Sequence, residues 1–180
     1  MRVYTQQDTR VFSQARDTLV RAERDAYLLS AIPPLFAIPE RLMQALAKQS
    51  GNTELPTLWQ RSLMQFRRNI KKHCLSLILL DPQIAALTPD LLHPLTVDSE
   101  TVGVLSYTEE QYALHIHRLY QLEKQYENLR VSFRNDIAGN TVLYVKENIG
   151  VIMAKTDSPM SAFVSEDRNM IRAFREYLTV

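Results

Sequence analysis

The sequence predicts an α/β fold in which helices flank a mixed sheet, with an antiparallel hairpin and a helix at the C-terminal end. Segments whose apolar residues recur at helical spacing alternate with short, continuously apolar segments typical of buried strands. The last third changes to the two-residue alternation of half-buried strands. The 180 residues, 46% of them hydrophobic, suffice for one substantial core. We therefore predict a single α/β domain over residues 1–180.

The first half of the chain contains three predicted helices and two predicted strands. The spacing of apolar residues places the helices over residues 9–23, 39–50 and 56–73. The continuously apolar segments place the strands over residues 25–32 and 75–80. The prolines at 33 and 34 end the first strand, and Pro39 suits the first turn of the next helix because its missing N–H would be unpaired there. These two strands are expected to lie in the sheet interior, covered on both faces.

The second half contains one further long helix, three strands and the C-terminal helix. Pro89, Pro94 and Gly103 interrupt residues 83–106, where we predict one short helix and loops. Thr108 and Gln111 form a capping box that begins the long helix. The pattern predicts that helix over residues 108–127 and strands over 129–133, 141–146 and 151–154. The last two strands form a hairpin about residues 147–150, and Ser165 is predicted to cap the final helix.

Composition excludes several classes of protein and site. The formal net charge of +1 argues against a basic surface for nonspecific nucleic-acid binding, so any DNA contact would be local. The single cysteine, Cys74, excludes an internal disulfide or a zinc site of paired cysteines and fits a reducing compartment. The N-terminus lacks the apolar core of a signal peptide, and no apolar run approaches the roughly 20 residues that span a bilayer. We expect a cytoplasmic protein without membrane contact.

No catalytic constellation is recognisable in the sequence. The four glycines are too far apart to form a phosphate-binding loop, and no Gly-x-Ser-x-Gly elbow occurs. His115 and His117 are two residues apart, so on a helix they point to different sides, and no Cys, Asp or Glu completes a metal cluster at ligand spacing. We therefore assign no catalytic residues, metal or cofactor, and the sequence favours binding over catalysis.

A basic helix segment is the first candidate ligand site. Residues 61–73 contain no acidic residue. The candidates for binding an anionic ligand are Arg67, Arg68, Lys71 and Lys72. The alternative is an ordinary solvated helix face, since runs of charge commonly serve that purpose.

A polar loop is the second candidate. Residues 157–163 follow a predicted strand end, a usual position for ligand contacts in α/β sheets. The candidate residues there are Ser158, Met160 and Ser161. A plain connection between the strand and the final helix is the alternative.

Two stretches of the chain carry a family resemblance. Residues 15–30, a helix ending in Ala22-Glu23 followed by a buried strand, look like the start of a phospholipase D-like effector domain. Residues 141–146, 150–153 and 166–178 resemble the hairpin and final helix of ligand-sensing domains in bacterial and archaeal transcription regulators, including the TrmB-like sugar-responsive group. In element order the resemblance covers most of the chain, and it implies a ligand-sensing effector domain.

The chain departs from that pattern in two ways. The His-x-Lys-x-x-x-x-Asp motif of catalytic phospholipase D enzymes is absent, and we find no helix-turn-helix DNA-binding motif. We therefore expect the effector domain of a bacterial transcription regulator, a homodimer that binds a small or anionic ligand and signals to an attached or partner DNA-binding module.

Two alternatives stay open. One is a phospholipase D-like hydrolase or nuclease relative with a degenerate site, which would use His115, His117 and the helix segment 67–72. The other is a protein-protein interaction or dimerisation module with exposed aromatic and methionine residues.

Overall fold

The computed structural model describes residues 1–5, 9–86, 108–139, 141–155 and 161–179, and in these ranges it contains seven strands and six α-helices. The strands are β1 (Arg2–Thr5), β2 (Ala26–Ser30), β3 (Leu75–Leu80), β4 (Leu129–Arg134), β5 (Thr141–Lys146), β6 (Gly150–Lys155) and β7 (Ser161–Ser165). The helices are α1 (Thr9–Arg21), α2 (Glu40–Ser50), α3 (Leu55–Ile70), α4 (Pro82–Ala86), α5 (Glu109–Gln125) and α6 (Arg168–Thr179).

The seven strands form one mixed sheet in the order β1-β7-β6-β5-β2-β3-β4. Strands β2, β3 and β4 run parallel to one another, whereas every other pairing in the sheet is antiparallel. The predicted α/β class, mixed sheet, C-terminal hairpin and C-terminal helix are thus confirmed. Strand β2 joins the two halves, because it pairs with β3 on one side and with β5 on the other.

Two strands at one side of the sheet were not predicted. The segment expected to be a polar loop, residues 157–163, instead enters strand β7 at Ser161, so the loop prediction is wrong for residues 161–163. Strand β7 pairs with β6 and with β1, and Ala162 and Val164 are buried. Both segments contain strand-favouring residues, Val3, Tyr4 and Thr5 in β1 and Phe163 and Val164 in β7, but at four and five residues they are too short to show a clear alternation. Pairing with neighbouring strands fixes them in the sheet. Ser158 and Met160 lie outside the described residues.

Alternation along the strands divides the core between the two faces of the sheet. On one face, Leu75 and Leu77 of β3 pack with Phe66 of α3 and Leu119 of α5. On the same face, Leu19 of α1 packs against Ile152 of β6 and against β7. On the opposite face, α6 contributes Ile171 and Leu178, which pack with Leu143, Val145 and Val151. Helices α1 and α3 therefore share a face, and a groove lies between them above β5, β2 and β3.

The helix ends follow the local rules, although α1, α3 and α5 end two or three residues earlier than predicted and the final helix has a different cap. The predicted capping box of α5 is present: the Thr108 hydroxyl accepts from the Gln111 backbone N–H at 3.2 Å, and the Gln111 amide oxygen accepts from the Thr108 N–H at 2.9 Å. The final helix is capped by Asp167 rather than by Ser165, because Asp167 Oδ1 accepts from the backbone N–H groups of Asn169 and Met170. The helix consequently starts later than predicted, at Arg168. Within the described ranges, no helix combines the length and apolarity needed to cross a membrane.

Candidate functional site

A cavity of about 130 Å³ lies in the groove between α1, α3 and the sheet. We call it the Lys146 cavity. Its apolar walls include Ala26, Leu28, Leu77, Phe36 and Phe66. The stacked rings of Phe36 and Phe66 have centroids 4.1 Å apart. The polar side chains that line it are Ser62, Gln65, Asn69, Tyr144 and Lys146. Ser62, Gln65 and Asn69 are only partly buried, so the cavity reaches the surface.

The polar lining comes from two elements, each with its own period. In β5 the side chains of Tyr144 and Lys146 are two residues apart and share a face, which the register places beside Leu28 and Ala26 of β2. On α3, Ser62, Gln65 and Asn69 are separated by steps of three and four, which puts them on one stripe of the helix. The packing of α3 on the sheet brings the two sets of side chains together.

Lys146 is the most unusual residue of the cavity, because it is a lysine and yet only 2% of it is exposed. Its Nζ donates to the Val20 carbonyl oxygen at 3.5 Å and to Tyr144 Oη at 3.4 Å, both long for a charged donor. In the described part of the chain no carboxylate pairs with Nζ. Burial lowers the pKa of Lys146 from 10.5 to about 8, and the more distant charges of Asp25 and Glu23 oppose that change only in part. The ammonium group thus gives up its proton more easily than an exposed lysine does.

Tyr144 faces the cavity beside the lysine. Burial raises the pKa of Tyr144 well above its ordinary value of 10, so its phenol stays protonated throughout the physiological range. The Lys146 Nζ lies 6.0 Å from the centre of the Tyr144 ring. The pair therefore presents an amine and a neutral hydroxyl 3.4 Å apart in an apolar setting.

Asn69 contributes an acceptor with no partner. Its amide nitrogen donates to the Arg24 carbonyl oxygen at 3.1 Å, but its Oδ1 is buried and accepts no hydrogen bond from any described residue. A buried acceptor left unpaired costs about 1–3 kcal/mol. A ligand with a hydrogen-bond donor would remove that cost.

The predicted anion site on α3 and its C-terminal extension does not face this cavity. Arg67, Lys71 and Lys72 are exposed, and Arg68 forms an ion pair with Glu23. Asn69 lies between them in sequence and points to the cavity instead. The basic residues thus lie on the outer surface of α3 and of the residues just after it, and among the described ion pairs only that of Glu23 involves one of them.

Ser161, the described residue of the second predicted site, lies elsewhere. It is exposed at the start of β7 and lines a separate cavity of about 280 Å³ beside Val3, Met153 and Phe163. The structure therefore does not bring Ser161 together with the basic residues of α3.

The histidines do not form a shared cleft. His115 is completely buried, with Nε2 3.1 Å from the Pro34 carbonyl oxygen, and burial lowers its pKa to about 4. His117 is exposed and hydrogen-bonds Gln121. Among the described residues no three His, Cys, Asp or Glu side chains lie close enough to hold a metal ion.

A further groove, of about 230 Å³, lies between α6 and the β5–β6 turn. Its basic residues are Arg168, Arg172 and Arg175, and Arg175 donates to Glu147 at 3.1 Å. This groove is open to solvent, since Arg168 and Arg172 are exposed. This groove is a second place where an anion could bind.

The sequence pattern did not single out Lys146, Tyr144 or Asn69. One signal was available: in the predicted strand over residues 141–146, Lys146 follows Tyr144 on one face of a strand that is otherwise apolar near its end. A lysine at such a position is rare inside proteins unless it is paired or functional. The burial of Lys146, however, depends on the packing of α1 and α3 over the strand, and the strand's own sequence pattern contains no information on that packing.

Comparison with known proteins yields no relative. Protein-family models, curated proteins and solved structures contain no match to this chain.

Proposed function

We propose that this chain is a cytoplasmic ligand-sensing effector domain of the kind that bacterial transcription regulators carry, and that the Lys146 cavity is its ligand site. One observation carries the proposal: an almost fully buried lysine faces a cavity that also contains Asn69 Oδ1, and among the described residues the lysine has no acidic partner and Asn69 Oδ1 has no donor. Both groups are costly in an empty protein interior, and both costs fall when a complementary ligand enters.

The lining sets the chemistry of the ligand. A cavity of about 130 Å³ accommodates a molecule of about the size of benzene. Leu28, Leu77 and Phe66 favour an apolar body, Lys146 Nζ favours an oxygen, and Asn69 Oδ1 favours a donor. The ligand is therefore a small, partly apolar molecule with an oxygen-bearing head.

The same lysine offers a route for a signal to α1. Lys146 Nζ contacts the carbonyl oxygen of Val20, in the last turn of α1, and the adjacent Leu19 packs against β6. A ligand that takes the amine as its partner competes with Val20 and changes how α1 ends. In this role the domain acts as a homodimer and passes the change to an attached or partner DNA-binding module.

The other two hypotheses have weaker geometric support. A degenerate hydrolase or nuclease site needs His115 and His117 in one cleft, whereas one is buried and the other exposed. An interaction module needs a continuous apolar face, whereas exposed large apolar side chains such as Val11, Met64 and Leu114 lie on different helices.

Thermal unfolding with small probes tests the proposal. The probes are benzamide, benzyl alcohol, benzoate and benzaldehyde, with inorganic phosphate as a test of the basic surfaces. A probe at about 100 times its Kd stabilises the native state by about 2.7 kcal/mol, which raises the Tm of a chain of this length by about 5–10 °C. We expect such a rise with at least one aromatic probe, and its loss in Lys146→Met and Asn69→Leu.

The exposed Lys72→Met is the matched control, and it should respond like the wild type. Two results would overturn the proposal: no aromatic probe raises the Tm, or the rise is the same in the cavity variants. A response to phosphate alone that Arg172→Gln abolishes would also overturn it, because that result moves the ligand site to the groove beside α6.

A further inference from the structure

We propose that Lys146 captures a small aldehyde or ketone covalently, as a reversible imine formed inside its cavity, and that the Tyr144 hydroxyl donates a hydrogen bond to the carbonyl oxygen before that oxygen leaves as water. This inference rests on the proposed function, because it uses the same cavity, and it names the ligand class as carbonyl compounds.

The position of the amine favours covalent capture. Nζ is held by two long hydrogen bonds, to Val20 O and Tyr144 Oη, and no carboxylate in the described ranges holds it as an ammonium ion. A lysine needed only as a cation is normally paired with an acid or extended to solvent. Lys146 does neither, and it lines a cavity whose size fits a small carbonyl compound.

The neighbouring phenol is placed to assist the amine. Tyr144 Oη lies 3.4 Å from Nζ, so a carbonyl carbon bonded to Nζ would place its oxygen within reach of the phenol. Because burial raises the pKa of Tyr144, the phenol is a neutral donor at every physiological pH. It can therefore hydrogen-bond to the carbonyl oxygen before the attack and to the hydroxyl group that forms afterwards.

The reaction needs only the amine and the carbonyl compound. The lone pair of neutral Nζ forms a bond to the carbonyl carbon, the C=O π pair moves to oxygen, and a proton passes from nitrogen to that oxygen to give a carbinolamine. The nitrogen lone pair then expels the hydroxyl group, which takes up a proton and leaves as water. The product is a protonated imine, which releases a proton to become neutral, and addition of water reverses the sequence.

The local electrostatics make neutral amine available. With a pKa of about 8, roughly a quarter of Lys146 is neutral at pH 7.5, compared with roughly one part in a thousand for an exposed lysine. The charges that act on its pKa are those of Asp25 and Glu23, which favour the ammonium, and Glu23 is itself paired with Arg68. The residues that face it from α3, Gln65 and Asn69, are neutral.

The contact with α1 also suggests a purely structural role for the lysine, and the test must distinguish that role from imine formation. Val20 O belongs to the last turn of α1, where a cation satisfies an unpaired carbonyl. Arginine would fulfil that role but cannot form an imine. Lys146→Arg therefore separates the two roles, and Lys72, exposed just past the end of α3, is an internal control within the same molecule.

The test is reductive trapping of the full chain with benzaldehyde and sodium cyanoborohydride, followed by peptide mass mapping. We expect a benzyl group on Lys146 at least ten times faster than on Lys72 at pH 7, with a rate that rises with pH and levels off above about 8. Tyr144→Phe should slow labelling of Lys146 several-fold without moving it to another lysine. Lys146→Arg should lose this label and keep the slow label on Lys72.

The outcomes separate this inference from the proposed function. If Lys146 is labelled no faster than Lys72 while benzamide or benzyl alcohol still raises the Tm, the imine is refuted and the noncovalent site stands. If no aromatic probe binds and Lys146 is not labelled preferentially, both are refuted. Because Lys146 and Lys72 are compared within the wild-type protein, the comparison holds even if a variant fails to fold.

Discussion

Replacing Lys146 by methionine should stabilise the protein near neutral pH. Methionine keeps the unbranched chain and most of the volume while removing the charge, so the packing of β5 beneath α1 and α3 is largely retained. The replacement gives up the two long hydrogen bonds to Val20 O and Tyr144 Oη, each weak at 3.4–3.5 Å. Its gain is the removal of a buried charge that no carboxylate of the described ranges pairs with.

The pKa of Lys146 sets the size and the pH dependence of the effect. A fall from 10.5 to about 8 corresponds to about 3 kcal/mol at pH 7 for holding the charged form in the folded state. Allowing about 1 kcal/mol for the lost contacts, we expect a gain of about 1–3 kcal/mol. Between pH 8 and 10.5 the unfolded chain binds more protons at this residue than the folded chain, so wild-type stability rises with pH. The advantage of the variant should therefore shrink to below about 1 kcal/mol near pH 10.

Urea unfolding monitored by circular dichroism at pH 7 and pH 10 measures both quantities. Lys72→Met is the matched control: it removes an exposed lysine and should change stability by less than about 0.5 kcal/mol at either pH. A variant at position 146 that is less stable than wild type at pH 7, or whose difference is the same at both pH values, would refute the reasoning. Lys146 would then be a structural cap of α1.

Three more predictions concern single contacts. Gly150→Ala should destabilise the protein by about 1–3 kcal/mol in urea unfolding, because a Cβ there would lie 2.6 Å from Cδ1 of the buried Leu19 and 3.1 Å from the backbone oxygen of Ser165; a neutral effect would mean that the Leu19 side chain reorients at no cost. Thr108→Ala should cost about 1 kcal/mol by the same measurement, since it removes half of the capping box of α5, whereas Thr108→Ser should cost much less. His115→Gln should make the stability of the protein less sensitive to acid. The pKa of His115 is about 4 in the folded protein and 6.5 in the unfolded chain, so between these values the unfolded chain binds more protons. The wild type should therefore lose about 2 kcal/mol of stability relative to the variant from pH 7 to pH 5. Equal losses in both proteins would show that His115 is not held neutral.

The candidate site shows where local patterns stop being informative. Charge spacing predicts a basic surface at the end of α3, and Arg67, Lys71 and Lys72 are indeed exposed there. This feature can be predicted because the helical period and the charges both belong to one short segment. The importance of Lys146 depends instead on a strand, two helices and the gap between them. No window of sequence contains that information.

Taken alone, the sequence determined the α/β class, the two buried strands, the hairpin and the capped helix at Thr108. These features depend on apolar periodicity, turn residues and side-chain caps, all of which act within a few residues. Only the tertiary structure decided that β1 and β7 are strands, because segments of four and five residues are too short to be recognised by periodicity and their pairing within the sheet fixes them. It also decided that Lys146 is buried beside Tyr144 and Asn69, since desolvation and hydrogen-bond partners are set by the residues that fold over a side chain and not by its neighbours in sequence.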